Sequence, residues 1–168
     1  MATAEVQLAF PFILLAIAII SVLGPSLENT VLALAIASWV SYARIVRAET
    51  LSQREREYIT AARALGASNA RVLFRHLLPL MATPILVVAT LEVARMIVIE
   101  SALSFLGLGV QPPRASWGSM VADGRDYLLI AWWLSVFPGL AISLTVMGVN
   151  LLGDWLRDAF DPRLRNVR

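Results

Sequence analysis

The stretch that decides the fold reads YITAARALGASNARVLFRHLLP and covers residues 58–79 of a 168-residue chain. Its alanine, leucine and arginine residues all favour helices. Gly66 is a natural helix end, and Ser68 or Asn69 can cap a second helix, which we expect to end at Pro79. The pattern therefore predicts a helix, a turn and a second helix. Small and apolar side chains recur at three- and four-residue spacing and give the first helix a narrow face for close contact.

The composition of the whole chain indicates a membrane protein. Hydrophobic residues make up 58% of the sequence, and the mean hydropathy is +0.72, above what is usual for soluble domains. The chain has no cysteine, so disulfides and cysteine-ligated metals are excluded. All 14 basic residues are arginine, so a P-loop, which needs a lysine, is excluded as well. Because these arginines lie beside apolar segments, we expect contact with membrane lipid and not with nucleic acid.

Apolar segments predict an all-α, polytopic membrane fold in a single domain, residues 1–168. A span needs about 20 apolar residues, and four segments meet this length or nearly so: residues 6–23, 29–46, 80–99 and 127–150. The first segment lacks a basic leader and is too long for a signal sequence, so we expect it to be retained. The intervening loops are residues 47–79 and residues 100–126, and residues 154–168 form a tail. Within the second loop, residues 101–113 are apolar but short, which is typical of a re-entrant or interfacial element.

Arginine placement predicts the orientation of the chain in the membrane. Residues 44–75 hold seven arginines against three glutamates, and four further arginines follow Gly153. Positive charge accumulates on the cytoplasmic side of membrane proteins. The 47–79 loop and both chain termini are therefore expected in the cytoplasm.

Few residues have the chemistry of a reactive site. Glu92 and Arg95 are three residues apart in an apolar segment and can form an intramembrane ion pair or face a solute pathway, and Glu100 lies near the outer end of that segment. His76 is the only histidine. An intramembrane enzyme would need a nucleophile with its base, or a metal cluster, and the sequence offers neither. We expect no catalytic residue, no metal and no cofactor.

Two interpretations of the 58–79 helix remain open from its pattern alone. It can be an amphipathic helix that rests on anionic lipid headgroups, or a helix that docks onto another protein. Both interpretations predict the same periodicity.

Separate motifs carry a resemblance to a known family. The order Thr60-Ala61-Ala62, then Gly66 after three residues, then Leu78-Pro79 resembles the EAA loop of binding-protein-dependent ABC importer permeases. Four further segments resemble the dipeptide, oligopeptide and nickel subfamily of these permeases, and its second permease subunit in particular. They are YARIVRAETLS (42–52), ESALSFLGLGVQPP (100–113), SWG (116–118) and NLLGDWLRDAFDPRLR (150–165). The resemblance extends from about residue 6 to residue 165.

This resemblance implies a membrane-spanning permease subunit that couples closure of its ATPase to alternating access. The implied partners are ATP-binding subunits, a second permease subunit and an extracytoplasmic solute-binding protein, with ATP hydrolysis on the separate subunits. The implied location is the plasma (inner) membrane of a bacterium or archaeon, and the implied cargo is peptides or nickel chelates. The loop helix would enter a groove on the ATPase through Tyr58, Thr60, Ala61, Ala62, Leu65, Gly66, Leu78 and Pro79.

The chain departs from the family pattern at two points. The family motif begins with glutamate where this chain has Thr60, so one charged contact is either missing or supplied by Glu57. Family members also carry a further membrane helix, a periplasmic stretch and another helix before the first apolar segment. We therefore expect this chain to correspond to the C-terminal, four-span part of such a permease, the alternative being an N-terminally truncated remnant that does not transport.

Overall fold

The computed structural model describes residues 2–160, and this part of the chain is helical with no β-strand. The helices are α1 (Ala2–Leu8), α2 (Phe12–Leu23), α3 (Leu27–Arg54), α4 (Glu57–Ala64), α5 (Asn69–Arg71), α6 (Leu78–Phe105), α7 (Trp117–Gly124) and α8 (Trp133–Phe160). A π-helix, Val72–Leu77, joins α5 to α6, and a 3₁₀ turn, Arg125–Tyr127, follows α7. The predicted all-α membrane fold is confirmed. Of the predicted tail, residues 161–168 lie outside the described part.

The chain divides into two compact units. The first unit consists of Met1–Val40 and Glu92–Asn150, and the second consists of Ser41–Leu91 and Leu151–Arg168. Helices α3, α6 and α8 each contribute one part to the first unit and one part to the second.

The first unit is built around a cluster of small and branched side chains. Ala16 and Ile20 of α2 pack with Ala33 and Leu34 of α3 and with Leu103 of α6. Alanines at helix contacts allow backbones to approach closely, which is the usual packing device between membrane helices.

Polar side chains fix the ends of the helices in this unit. Asn29 donates its side-chain amide to the carbonyls of Leu23 and Gly24, both at 2.9 Å, which satisfies groups left free where α2 ends. Gln7 of α1 donates to the carbonyl of Ile36 at 2.7 Å and accepts from the indole of Trp39 at 2.8 Å. These bonds fasten the turn between α2 and α3 and hold α1 against α3.

The second unit has its own core, formed where the predicted loop folds back on the long helices. Ile59 of α4 is buried with Val72 and Leu77 of the π-helix and with Met81 of α6, and Val46, Ala67 and Ile85 pack around them. The hydroxyl of Thr50 on α3 lies 3.3 Å from the sulfur of Met81. Gly153 lies so close to Thr90 that a Cβ added there would contact its hydroxyl.

Helix bounds differ from the predicted spans at both ends of the chain. Residues 6–23 do not form one helix, because the chain breaks at Ala9–Pro11 and α2 starts afresh after Pro11. At about 1.5 Å per residue, α2 is shorter than the hydrocarbon core is thick.

The last helix begins at Trp133, because residues 125–132 form a 3₁₀ turn and further turns. Among residues 2–160, α3 and α8 are long and apolar enough to span a membrane. The helical segments Asn69–Ala82 and Pro84–Phe105, which are bent by 48° relative to each other, meet the same test together and give a third span if the two are taken as a single broken helix.

The expected helix end at Pro79 is wrong. The π-helix Val72–Leu77 continues without a break into α6, so Pro79 lies inside a continuous helical stretch. Proline inside a helix removes a hydrogen bond and crowds the carbonyl four residues before it, and here a π-helical turn, a common place for such irregularities, directly precedes it.

The predicted short element at residues 101–113 is also divided differently. Residues 101–105 complete α6, and the chain then turns at Gly107, whose φ is +78°. The Ser104 hydroxyl accepts from the backbone N–H of Val110 at 3.2 Å and donates to Glu100 at 2.6 Å. The helix therefore extends further than its apolar segment, and the loop after it folds back onto the last turn.

Candidate functional site

Helix α4 ends in a motif that its sequence dictates. The backbone N–H of Ala67 bonds to the carbonyl of Ala62 at 3.1 Å, and that of Gly66 bonds to Arg63 at 2.9 Å. This is the Schellman pattern, in which the residue after the helix adopts a left-handed conformation. Gly66 has φ +81°, which only glycine adopts without strain. The predicted helix end at Gly66 is confirmed.

The start of the following helix is set by Ser68. Its hydroxyl accepts from the backbone N–H of Arg71 at 3.3 Å, which makes Ser68, and not Asn69, the N-cap. After one turn the chain changes to the π-helix Val72–Leu77. Single π-helical turns inside α-helices are rare, and those that occur are often found at functional sites.

One residue anchors α4 to the rest of the second unit. Ile59 is fully buried, whereas its neighbours Tyr58 and Thr60 are exposed. The cluster around Ile59 contains Met81 of α6 and touches Val46 of α3. Thus α4 is attached through its inner face to α3 and α6.

The predicted docking residues lie mostly on the surface. Ala62 is half-buried, and the other seven are exposed: Tyr58, Thr60, Ala61, Leu65, Gly66, Leu78 and Pro79. Leu65 is 89% exposed and Tyr58 is 41% exposed. We refer to the exposed part of this set on α4 and its turn, namely Tyr58, Thr60, Ala61, Leu65 and Gly66, as the α4 surface. The α4 surface is small and partly apolar, and none of its five residues is charged. The nearest carboxylate in the sequence is that of Glu57, just before it.

Leu78 and Pro79 are exposed in the first turn of α6. Their neighbour Leu77 is buried in the Ile59 cluster. The pair therefore marks the point where the loop meets a long helix. Sequence reasoning missed Ile59, Val72, Leu77 and Met81 as site residues. The only signal for them was their apolar character, which they share with much of the chain.

Arginines surround the site without acidic partners. The ion pairs among residues 2–160 join Arg95 to Glu92, Arg114 to Glu28 and Arg125 to Asp126. None of the seven arginines between residues 44 and 75 forms an ion pair with a described residue, and all seven are exposed. This part of the second unit therefore presents a net positive charge, with seven arginines against three glutamates between residues 44 and 75.

A second candidate site lies in the first unit, in the middle of an apolar helix. Arg95 donates from Nε to Oε2 of Glu92 at 3.0 Å, and its guanidinium carbon lies 4.6 Å from the ring centre of Phe12. The side chain of Arg95 is 43% exposed and that of Glu92 is 16% exposed. Glu100, two helical turns from Glu92, accepts from Ser104 and does not join this pair. The described residues contain no group of three acidic or histidine side chains arranged to hold a metal.

Comparison with known proteins places the chain in a protein family. Residues 1–166 match the family described as the binding-protein-dependent transport system inner membrane component. The chain is 48% identical over 163 residues to the di/tripeptide transport system permease protein DppC of Pseudomonas aeruginosa, covering 97% of this chain and 54% of that protein. It is 48% identical to the dipeptide transport system permease protein DppC of Alkalihalophilus pseudofirmus, covering 96% and 53%. It is 47% identical to the glutathione transport system permease protein GsiD of Escherichia coli, again covering 96% and 53%.

The chain belongs to the family of binding-protein-dependent transport system inner membrane components. It spans about half the length of the curated relatives it matches. These relatives are named as transport permeases and not as enzymes. The family resemblance seen in the sequence motifs is thereby confirmed.

Proposed function

We propose that the chain acts as a membrane-spanning permease subunit of an ABC importer for small peptides. In this proposal the α4 surface docks onto a separate ATP-binding subunit, which hydrolyses ATP. A second permease subunit and an extracytoplasmic solute-binding protein complete the assembly. The relatives named for di/tripeptide and glutathione transport support peptides as the cargo class over nickel chelates.

One observation carries the docking proposal: α4 is held by a single buried side chain while its outer face is open. A short helix with one anchor and an exposed, small-residue surface suits insertion into a groove on another protein. A lipid bilayer suits α4 less well, because Ile59, the only large aliphatic side chain of this helix, faces the protein core and not the outside. This favours protein docking over a helix that rests on headgroups.

The packing of α4 provides a route for coupling. Ile59 is clustered with Met81 of α6, and Val46 of α3 packs against the same cluster. A well-packed cluster deforms little, so a displacement of α4 would shift both long helices. Each of these helices continues out of the unit as one element, α3 from Leu27 and α6 to Phe105. ATPase closure would in this way reach the membrane segments and drive alternating access.

We further propose that Arg95 faces the solute pathway. Its position is close to the middle of Pro84–Phe105, which is about 33 Å long at 1.5 Å per residue. A guanidinium that is nearly half exposed at this depth cannot face hydrocarbon without a large cost in free energy. Its terminal nitrogens, which Glu92 leaves unbound, would instead contact water or solute.

Arginine placement supports the cytoplasmic location of the 47–79 loop and of both termini within the inner membrane. The four membrane crossings predicted from the sequence are part of the same proposal.

Docking can be tested by adding bulk to the α4 surface. Ala61→Trp should lower co-purification of the cognate ATP-binding subunit about tenfold or more, since overpacking a fitted contact costs roughly 1–3 kcal/mol. Retention of the second permease subunit should not change. Ala48→Trp is the matched control, because Ala48 is also an exposed alanine in the second unit. Equal retention of the ATP-binding subunit by both variants would contradict the proposal.

A further inference from the structure

The second half of α3 carries an arginine stripe, which consists of Arg44, Arg47 and Arg54 with Leu51 between them. These positions are three or four residues apart, so they share one face of the helix. All four are exposed, and the arginines have no ion pair with any described residue.

The packed residues lie on a neighbouring face of this helix segment. Val46 packs against the Ile59 cluster, and Thr50 contacts Met81. Gln53 is buried and donates to Glu49 at 2.7 Å. Arg44 and Leu51 each precede a packed residue by two positions, which is about 200° around a helix. Arg44 and Leu51 therefore point away from the core of their own unit, and Arg47 and Arg54 are exposed beside it.

The depth of the first two arginines follows from the length of the helix before them. Residues 29–43 form an uncharged, mostly apolar stretch about 22 Å long, less than the roughly 30 Å of a hydrocarbon core. Arg44 and Arg47 come next, where long arginine side chains can extend their guanidinium groups to the phosphate layer. Arg54 lies about 10 Å further along the helix, beyond that layer.

The surroundings of the stripe favour lipid over an acidic protein surface. Leu51 is 43% exposed and Ile45 is 37% exposed, so apolar side chains flank the charges, as at an interfacial helix face. The stripe also continues directly from a helix that is long and apolar enough to span the membrane. Guanidinium groups form paired hydrogen bonds with phosphate oxygens.

We propose that Arg44 and Arg47 together bind the phosphodiester of an anionic phospholipid headgroup. This site is distinct from the α4 surface and does not depend on docking of the ATP-binding subunit. It fixes the depth of α3, the helix against which α4 is anchored. Anionic lipid would thereby hold the coupling core at a constant height in the membrane.

The experiment uses the full chain in nanodiscs of phosphatidylethanolamine with a small fraction of photo-crosslinkable phosphatidylglycerol. Cross-linked peptides are identified by mass spectrometry. The wild-type chain should cross-link between residues 41 and 54. Arg44→Gln/Arg47→Gln should lose most of this signal, since each arginine near an anionic surface contributes about a fivefold gain in affinity. Arg54→Gln should retain it, because this residue shares the face but lies beyond the phosphate layer.

Three further arms make the result decisive. Arg44→Lys/Arg47→Lys keeps the charge, so most of the cross-linking should return, and an unchanged unfolding temperature of the glutamine variant shows that its loss of signal is not a failure to fold. A photo-crosslinkable phosphatidylcholine should give little signal in the wild type, and added inorganic phosphate should not displace phosphatidylglycerol.

Unchanged cross-linking in Arg44→Gln/Arg47→Gln, or an equal loss in Arg63→Gln, would overturn the proposal. If the double glutamine variant keeps its lipid but loses the ATP-binding subunit, the stripe is a protein contact and the lipid assignment is wrong.

Discussion

The hydroxyl oxygen of Thr50 on α3, which donates to the carbonyl of Val46 at 2.6 Å, lies 3.3 Å from the sulfur of Met81 on α6. Met81 is also a member of the buried cluster that anchors Ile59 of α4. Helices α3, α4 and α6 therefore meet at one place. Sulfur is a weak acceptor, so close packing and not a hydrogen bond to it supplies most of the stability of this junction.

The anchor residue is the first point at which this account can be tested. Ile59→Ala should lower the free energy of unfolding by about 2–5 kcal/mol, because a fully buried side chain is removed and a cavity remains. Leu65→Ala removes a similar side chain that is 89% exposed and should change it by less than about 0.5 kcal/mol. Thermal unfolding in detergent measures both. Similar losses in the two variants would contradict the assignment of Ile59 as the anchor.

The turn after α4 gives a prediction about backbone conformation. Gly66→Ala should destabilise the chain by about 1–2 kcal/mol, because alanine is strained at the φ of +81° found here. No neighbouring atom lies within 4 Å of a Cβ built at Gly66, so the loss comes from the backbone and not from a clash. Gly148→Ala is the matched control, since it lies inside α8 with equally open space and an ordinary φ. It should be neutral or slightly stabilising. A Gly66→Ala variant as stable as Gly148→Ala would argue against the left-handed turn.

The proposal that Arg95 faces the solute pathway gives a prediction about water access. A single cysteine at Arg95 should react with a membrane-impermeant thiol reagent when the chain is assembled with its partners, because thiols react as thiolates in contact with water. Leu144→Cys is the control, since Leu144 is an exposed apolar residue of α8 and should face lipid. The natural chain has no cysteine, so no background labelling is expected from it. If Arg95→Cys is as unreactive as Leu144→Cys from both sides of the membrane, Arg95 does not line a pathway.

Features set by local chemistry were predictable from the sequence. The end of α4 at Gly66 and the start of the next helix near Ser68 depend on residues within one turn, namely a left-handed glycine and a hydroxyl cap. The Glu92–Arg95 ion pair likewise follows from three-residue spacing on one helix.

Features set by distant contacts were not predictable in the same way. Tyr58 and Ile59 each begin a pattern of small and apolar residues at three- and four-residue spacing, so the sequence does not show which of the two is buried. Packing against Met81 buries Ile59 and leaves Tyr58 exposed. The two prolines also behave oppositely to their expected roles: the chain breaks at Pro11, within a predicted span, and continues through Pro79, at a predicted helix end. A preceding π-helix, which no sequence pattern indicated, explains the second case.

The central claim is that the α4 surface docks onto an ATP-binding subunit and moves with it. The most direct measurement is disulfide cross-linking between Ala61→Cys and a cysteine in the docking groove of the cognate ATP-binding subunit, with and without ATP. Ala48→Cys, an exposed position on α3 outside the α4 surface, is the control. We predict a cross-link at Ala61→Cys that changes in yield when ATP is added, and none at Ala48→Cys. The same low yield at both positions, with the chain shown to be in the membrane, would contradict the claim.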